Sequence, residues 1–326
     1  MSSSSIAGKN PPRIAIVLAF LSVYFCWGAT YTAMSIGVHL LPATILAGTR
    51  MLIGAALMFS FCAIRGKRLI YSRGVMVRLI FVGILLLFGG NIALVWSEKY
   101  LASGLSALLV AVVPLYVAVI ERLLPGGERL RPRGTIGILL GLCALIALLW
   151  PSLYKSAPSL RQGLPMQMFA AGAILLGALS WASGSVLFRR MQLEVDPLVA
   201  AGWEMLAAGV CNLTIATATW QWPHAVWNAR SIASIGYLVL FGSLLGFSCY
   251  IWLIHHVPVA KVATYAFVNP VVAVILGTLI LGEQLQPSEY VGMVMVICAV
   301  ALVISSQTKS GKSAAEIEVE PLENEA

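Results

Sequence analysis

The sequence predicts an all-α membrane protein with ten transmembrane helices in two inverted five-helix repeats. Of its 326 residues, 60% are hydrophobic and 10% are charged, against about 25% charged residues in ordinary soluble proteins. A six-residue turn occurs twice, as GERLRP at 127–132 and as GEQLQP at 282–287. The first copy carries arginines that the second copy lacks, and basic residues are enriched in cytoplasmic loops. The two copies are therefore expected on opposite faces of a bilayer, which is the pattern of an inverted repeat.

Ten apolar segments account for most of the chain. Each has roughly the 20 residues that a helix needs to cross a bilayer, although the fifth and tenth are short. Backbone groups in lipid must be hydrogen-bonded within the protein, and the alternating ten-residue pattern of a β-barrel is absent, so the segments are expected to be helices. They are 14–36, 43–64, 76–97, 103–124, 134–150, 167–188, 198–220, 231–252, 261–281 and 288–305.

The repeat extends beyond the shared turn. AGTRML at 47–52 matches AGWEML at 201–206, and Trp27 and Trp181 have the same separation. Because five spans are an odd number, the second copy must enter the membrane from the opposite face. The predicted organisation is a cytoplasmic N-terminal segment at 1–13, a first repeat at 14–150, an external linker at 151–166, a second repeat at 167–305 and a disordered acidic cytoplasmic tail at 306–326.

The basic residues predict the orientation. With the N-terminus in the cytoplasm, 16 of the 21 lysines and arginines fall on the cytoplasmic side and four fall outside. Cytoplasmic loops carry this excess in membrane proteins, so both termini are predicted to be cytoplasmic. The net charge of +8 is thus explained by topology, and no nucleic-acid partner is expected.

No cofactor or metal site is predicted. The six cysteines lie singly in apolar segments without CxxC spacing, and they are interpreted as packing residues. His255 and His256 are adjacent, which places them about 100° apart on a helix and makes them poor joint ligands. The SGKS stretch at 310–313 has Ser306 where a phosphate-binding loop needs its first glycine.

Several of these stretches resemble the EamA family of the drug/metabolite transporter superfamily. The resemblance covers about residues 14–305 and is carried by WGAT at 27–30, by the AGxxML pair, and by GERL at 127–130 and GEQL at 282–285, each after a span that contains a proline. It implies two five-helix domains and the transport of small molecules. It does not identify the substrate, because the superfamily includes carriers of amino acids, drugs, nucleotide sugars and other metabolites.

Two charged residues inside spans are the first candidates for a transport site. Arg50 lies about eight residues, or roughly 12 Å, from the outer end of the second span. Glu204 has the matching place in the seventh span. Charges in hydrocarbon are costly, so both are expected to face protein or water. Either they form a gate or a proton or substrate site, or they form a salt bridge, direct or through water, that lets both helices insert.

The prolines and aromatic residues of the spans are the second set. Pro114 and Pro270 occupy matching places, and each is predicted to kink its helix and to free a carbonyl that a polar cavity could satisfy. Aromatic rings near them are interpreted either as cavity walls or as packing between helices. The predicted substrate path comprises Trp27, Tyr31, Arg50, Asn91, Pro114, Tyr116, Trp181, Glu204, Tyr265, Asn269 and Pro270.

Glu98 and Glu204 are the candidates for proton-linked residues. Glu98 lies near the outer end of the third span, where it is either an interfacial carboxylate or a group that faces an external vestibule. Glu128 and Glu283, in the two repeated turns, are interpreted as helix caps.

The leading functional hypothesis is a secondary active transporter that exports small metabolites or drugs by alternating access. The alternatives are a lipid scramblase or flippase and an uptake carrier of the same fold. A membrane-embedded enzyme would need His, Asp or Glu clustered at one depth, and the spans lack such a cluster. The expected partners are membrane lipids and a small-molecule substrate, and the expected location is the bacterial cytoplasmic membrane. The sequence leaves open whether the protein is a monomer or a homodimer.

Overall fold

The computed structural model describes residues 11–125, 132–154, 164–263, 265–283 and 287–308. All regular secondary structure in these ranges is helical. Seven helical stretches in them are long and apolar enough to cross a membrane: Arg13–Val38, Ala43–Ile64, Arg73–Ser97, Ser103–Leu123, Met166–Met191, Pro197–Ala218 and Ala229–His256. The other three predicted spans overlap the helices Pro132–Tyr154, Tyr265–Leu276 and Pro287–Thr308. These are not among the seven stretches, so the total of ten spans remains a prediction.

The N-terminal half, residues 13–154, contains seven α-helices and one π-helical segment. These are α1 Arg13–Val38, α2 Ala43–Ile64, α3 Arg73–Gly83, π1 Ile84–Gly90, α4 Asn91–Ser97, α5 Ser103–Val110, α6 Val113–Leu123 and α7 Pro132–Tyr154. Helix α7 continues to Tyr154, beyond the predicted start of the linker at 151. The predicted GERLRP turn lies mostly outside the described residues.

The described residues of the C-terminal half, 164–308, follow this order with two additions, a short 3-10 helix at Trp222–His224 and a further π-helical segment, π3. The α- and π-helical elements are α8 Leu164–Met191, α9 Pro197–Ala218, α10 Ala229–Tyr237, π2 Leu238–Phe247, α11 Ser248–His256, α12 Val259–Val262, α13 Tyr265–Leu276, π3 Gly277–Leu281 and α14 Pro287–Thr308. The predicted terminal segments 1–13 and 306–326 fall largely outside the described residues.

The third span of each half is interrupted at the same place. In both halves a π-helical segment, π1 or π2, separates two α-helices. Such segments widen the helix locally and often occur at functional sites. Both contribute residues to the cavity described below.

The two predicted proline kinks differ from each other. Pro114 lies in the first turn of α6, after a short break that follows Val110. It therefore begins a helix instead of bending one, because the first turn leaves its N–H groups unpaired in any case and proline loses nothing there. Pro270 lies inside α13, as predicted.

Helices α2 and α9 pack side by side in opposite directions. Gly48 lies against Leu213, Gly209 lies against Leu52, and Gly202 lies against Phe59. Residue numbers rise along one helix as they fall along the other, so the packing is antiparallel. Small residues at these positions allow a close approach of the two backbones.

The first helix of each half packs mainly against the opposite half. Helix α1 contacts α13 and π2, whereas α8 contacts α6, α4 and π1. Helix α7 packs against α14. Each half therefore depends on the other for much of its buried surface, and the central cavity lies where they meet.

The outer faces of the helices carry large apolar side chains. Phe25, Leu57, Phe169 and Leu279 are exposed by 58%, 46%, 68% and 76% respectively. Exposed apolar surface of this extent is unfavourable in water and is expected where a protein faces lipid. The surface thus agrees with a membrane protein.

Candidate functional site

A central cavity of about 80 Å³ lies between the two halves. Helices α1, α2, α4, α5 and α6 and segment π1 line one part of it, and α8, π2 and α13 line the other. Its walls are mostly apolar, with a few polar groups, as in typical small-molecule sites. Seven of the residues predicted for the substrate path line this cavity: Trp27, Tyr31, Arg50, Asn91, Trp181, Tyr265 and Asn269.

Aromatic rings from both halves form one wall of the cavity. The ring centroids of Trp27 and Trp181 are 5.5 Å apart in an edge-to-face arrangement, and those of Trp27 and Tyr265 are 5.4 Å apart. Such arrangements are favoured by the ring quadrupoles. The indole of Trp27 donates to the carbonyl of Gly242 at 3.0 Å, and that of Trp181 donates to the hydroxyl of Tyr250 at 2.9 Å. These bonds satisfy the indole donors, so the wall offers an apolar surface to a ligand.

Each tryptophan occupies space left by a glycine of the opposite half. A Cβ at Gly90 would lie 3.1 Å from the side chain of Trp181, and a Cβ at Gly246 would lie 2.5 Å from Cδ1 of Trp27. Both glycines belong to the π-helical segments of the third spans. The predicted correspondence of Trp27 and Trp181 thus has a physical counterpart in two matching glycines, which sequence reasoning missed.

Arg50 is buried, with 4% of its surface exposed, and it faces the cavity. Its Nη2 donates to Oδ1 of Asn91 at 2.5 Å. Its Nε has no hydrogen-bond partner among the described residues. No carboxylate lies within 4.0 Å of the guanidinium in the described part of the chain. Arg50 is therefore a buried cation whose only observed side-chain partner is a neutral amide.

Glu204 does not lie on the cavity wall. It is fully buried, and neither of its carboxyl oxygens has a partner in the described ranges. Gly83 approaches it so closely that a Cβ there would lie 2.5 Å from the Cα of Glu204. The antiparallel register places Glu204 level with residue 57 of α2, about seven residues or roughly 10 Å along the axis from Arg50. The described residues show no direct salt bridge between them, and a link through water stays a prediction.

Three other predicted path residues also lie away from the cavity wall. The fourth span contributes Val110 and Val113 instead of Pro114 and Tyr116. The break after Val110 sets which side chains reach the cavity, and its register could not be predicted from the sequence. Pro270 is buried next to Asn269 but is about 100° further around α13, which turns it away from the cavity.

Asn269 and Tyr265 reach the cavity together because they are one helical turn apart on α13. Asn269 is 3% exposed, and its Oδ1 lacks a donor among the described residues. A buried amide without a partner is costly. It is accordingly a second polar group, after Arg50, that a ligand could satisfy.

Glu98 is buried at the outer end of the third span. Only 1% of its surface is exposed, and neither carboxyl oxygen is hydrogen-bonded to any described residue. Its burial does not fit the alternative of an exposed interfacial carboxylate. The other interpretation, a group that faces an external vestibule, stays a prediction.

Glu283, in the GEQLQP turn, caps a helix of the opposite half. It accepts bonds from the backbone N–H of Ser103 at 2.9 Å and from its hydroxyl at 2.7 Å. Helix α5 needs this acceptor because its own N-cap residue, Ala102, has no side chain that can accept. Gly282 has a φ of +68°, which ends the preceding segment in the left-handed conformation that glycine adopts readily. The predicted capping role of Glu283 agrees with the structure, and Glu128 lies outside the described residues.

Sequence reasoning also missed several apolar members of the cavity wall. Met34 follows Trp27 and Tyr31 at helical spacing, so the spacing alone could have identified it. Others gave no sequence signal, because membrane helices are apolar on their inner and outer faces alike. The missed residues are Thr30, Met34, Met51, Leu87, Gly90, Leu94, Val110, Val113, Gly177, Ala178, Gly242, Ser243 and Phe247.

Comparisons with known proteins agree with this architecture. The model of the EamA-like transporter family matches residues 13–150 and again 168–305. The inner membrane transporter YedA of Escherichia coli (strain K12) is 36% identical over 286 residues, which cover 87% of this chain and 89% of that protein. The transporter YoaV of Bacillus subtilis (strain 168) is 24% identical over 287 residues, or 88% of this chain and 96% of YoaV.

A solved crystal structure shares the fold. It has a TM-score of 0.66 and 21% sequence identity, and the match covers 89% of this chain and 97% of the other. No group of three or more His, Cys, Asp or Glu residues that could hold a metal ion occurs in the part of the chain that the structure describes. The two matches to one family model, together with the 36% identity to YedA, indicate a membrane transporter and not an enzyme. The chain belongs to the EamA-like transporter family.

Proposed function

We propose that the protein is a secondary active transporter that exports small metabolites or drugs across the bacterial inner membrane by alternating access. The observation that carries this proposal is the central cavity. It lies between the halves, and corresponding tryptophans of both halves line it. A site at a repeat interface can open to either face when one half moves against the other. The inner-membrane location rests on the likeness to YedA, whose name places it there.

The proposal includes an inverted arrangement of the two halves. Antiparallel packing of α2 and α9 supports it, because the corresponding second spans then cross the membrane in opposite directions. Helices α1 and α8 each pack mainly against the opposite half, and each tryptophan packs against a glycine of the opposite half. A two-fold axis in the membrane plane would relate these contacts in pairs, so they also support the proposal. A total of ten spans with both termini in the cytoplasm follows from this arrangement and from the distribution of basic residues.

Cysteine labelling tests the topology. In a variant without the six native cysteines, Gln286→Cys should react with an impermeant maleimide in intact cells. Arg131→Cys, in the matching turn, should react only after permeabilisation. The opposite pattern of labelling would refute the inverted arrangement.

We propose further that Glu204 or Glu98 couples transport to protons. Both carboxyl groups are buried without a partner in the described chain, so gain or loss of a proton changes a charge inside the protein. Glutamine imitates the protonated side chain. If Glu204 is the coupling group, Glu204→Gln should retain exchange of substrate across the membrane but should no longer respond to a pH gradient. The exposed Glu194→Gln is the control, and an unchanged pH response of Glu204→Gln would exclude that residue.

Direction of transport distinguishes the exporter from the uptake carrier. Cells that overproduce the protein should tolerate toxic metabolites or drugs that the protein exports, whereas an uptake carrier would make the same cells more sensitive. A scramblase would instead move labelled phospholipids between the leaflets of proteoliposomes in the absence of any solute. Each alternative thus has a separate positive result.

A further inference from the structure

We propose that the substrate is a small monocarboxylate with an apolar, preferably aromatic, body, and that Arg50 binds its carboxylate. This inference rests on the proposed transport function and identifies the substrate class of the same cavity. Two observations carry it. One is the uncompensated charge of Arg50, and the other is the apolar aromatic wall to which both halves contribute.

Burial of the Arg50 guanidinium is energetically costly. A guanidinium that is 4% exposed has lost most of its hydration, and a buried charge is stable only when it is paired and hydrogen-bonded. In the described residues, Arg50 has one amide partner, Asn91, and no carboxylate within 4.0 Å. Among the residues that line the cavity, Arg50 is the only one with a formal charge. A ligand with a single negative charge would make the site neutral, whereas a cation would add to the uncompensated charge.

The geometry of Arg50 specifies the anionic group further. Asn91 accepts a bond from Nη2, which fixes the orientation of the planar guanidinium. Nε has no partner in the described part of the protein. A guanidinium offers donors in a rigid fork that matches the two oxygens of a carboxylate. A dianion such as a phosphate monoester would leave an excess negative charge, because the described residues that line the cavity include no second cation.

The aromatic wall specifies the rest of the molecule. Trp27 and Trp181 use their indole N–H groups in bonds to Gly242 and Tyr250, so their rings offer faces and edges without a free donor. The cavity is small, at about 80 Å³, so the body should be compact, such as a single ring or a short branched chain, and the walls must move apart to admit it. Aromatic rings of the ligand would contact these walls in the offset or edge-to-face geometries that aromatic pairs prefer.

Three ligands of nearly the same shape but different charge test whether the charge of the ligand determines its affinity. Phenylacetate is an anion, phenylacetamide is its neutral counterpart, and phenethylammonium is a cation. Binding to the purified full-length protein in detergent is measured by isothermal titration calorimetry. We expect phenylacetate to bind at least about tenfold more tightly than phenylacetamide, and phenethylammonium to bind most weakly. A tenfold difference corresponds to about 1.4 kcal/mol.

Variants assign the charge discrimination to Arg50. Arg50→Gln should lower phenylacetate affinity at least about tenfold and should bind the acid and the amide equally, whereas Arg50→Lys should retain part of the preference for the anion because it keeps the charge but loses the fork. Arg230→Gln removes one positive charge outside the central cavity and should bind as the parent does. If Arg50→Gln does not fold, the probe series on the parent protein and on Arg50→Lys still decides.

The proposal would be overturned if the parent protein bound the amide as tightly as the acid, bound no phenylacetate at millimolar concentration, or kept its affinity in Arg50→Gln. Transport is measured separately, as phenylacetate counterflow in proteoliposomes. Arg50-dependent binding without counterflow would contradict the transport function and leave the binding site intact. Counterflow of another solute without phenylacetate binding would contradict the substrate class alone.

Discussion

The contact between Glu283 and α5 provides the sharpest test of how the two halves are held together. Helix α5 begins at Ser103, and its N-cap residue, Ala102, cannot accept a hydrogen bond through its side chain. The carboxylate of Glu283 replaces the missing cap from the opposite half, with bonds of 2.9 Å and 2.7 Å to the backbone N–H and hydroxyl of Ser103. A Cβ at Gly277 would lie 2.7 Å from Ser103 Oγ, so this contact also requires a glycine there.

The magnitude follows from these bonds. A hydrogen bond to a charged group contributes about 1.5–3 kcal/mol, and loss of an N-cap costs about 0.5–2 kcal/mol. Because Glu283 is partly exposed, we expect Glu283→Ala to lower the free energy of unfolding by about 2 kcal/mol, near the middle of these ranges. Ser103→Ala removes the hydroxyl bond and keeps the backbone bond, so it should cost about 1 kcal/mol. In the Glu283→Ala background, Ser103→Ala should cost little more, because its partner is already absent.

The assay is a double-mutant cycle by reversible unfolding in mixed micelles with increasing sodium dodecyl sulfate, followed by circular dichroism. Glu194→Ala is the matched control, because Glu194 is an exposed carboxylate and should change the free energy of unfolding by less than about 0.5 kcal/mol. Glu283 does not cap α5 if Glu283→Ala is as stable as the control, or if the losses of unfolding free energy in Glu283→Ala and Ser103→Ala simply add in the double variant.

Three further predictions concern packing, capping and the proline inside α13. Gly246→Ala should crowd the indole of Trp27. It should lower the free energy of unfolding by about 1–3 kcal/mol and reduce transport. Normal transport at parental stability would show that the indole can move aside. Asp196 caps α9 and pairs with Lys67 at 2.7 Å. Asp196→Ala should therefore lower the free energy of unfolding by about 1–2 kcal/mol, whereas Asp196→Asn, which can still cap, should lower it by less than about 1 kcal/mol. Equal losses in the two variants would assign the effect to the partly exposed ion pair. Pro270→Ala should reduce transport by proteoliposomes more than it reduces the yield of folded protein, and a folded variant with the parental transport rate would falsify a role for Pro270 in transport.

The sequence by itself determined the class of the protein and its helices. Membrane helices must bury a fixed length of apolar chain and satisfy their own backbone, so hydropathy alone places most of their ends. The predicted segment 43–64 has the same bounds as α2, and 103–124 differs by one residue from the observed span Ser103–Leu123. The repeat also identified Trp27 and Trp181 as corresponding residues, because an aromatic pair at a fixed separation can be read from one chain.

Only the tertiary structure decided which residues meet across the two halves. Sequence symmetry paired Arg50 with Glu204, but the antiparallel register of α2 and α9 separates them and gives Arg50 an amide partner instead. Ser103 and Glu283 are 180 positions apart, and nothing in either local sequence indicates the other. The reason is physical: the hydrocarbon and the protein interior are both apolar, so hydropathy marks where a helix crosses the membrane but not which of its faces lies against a neighbour.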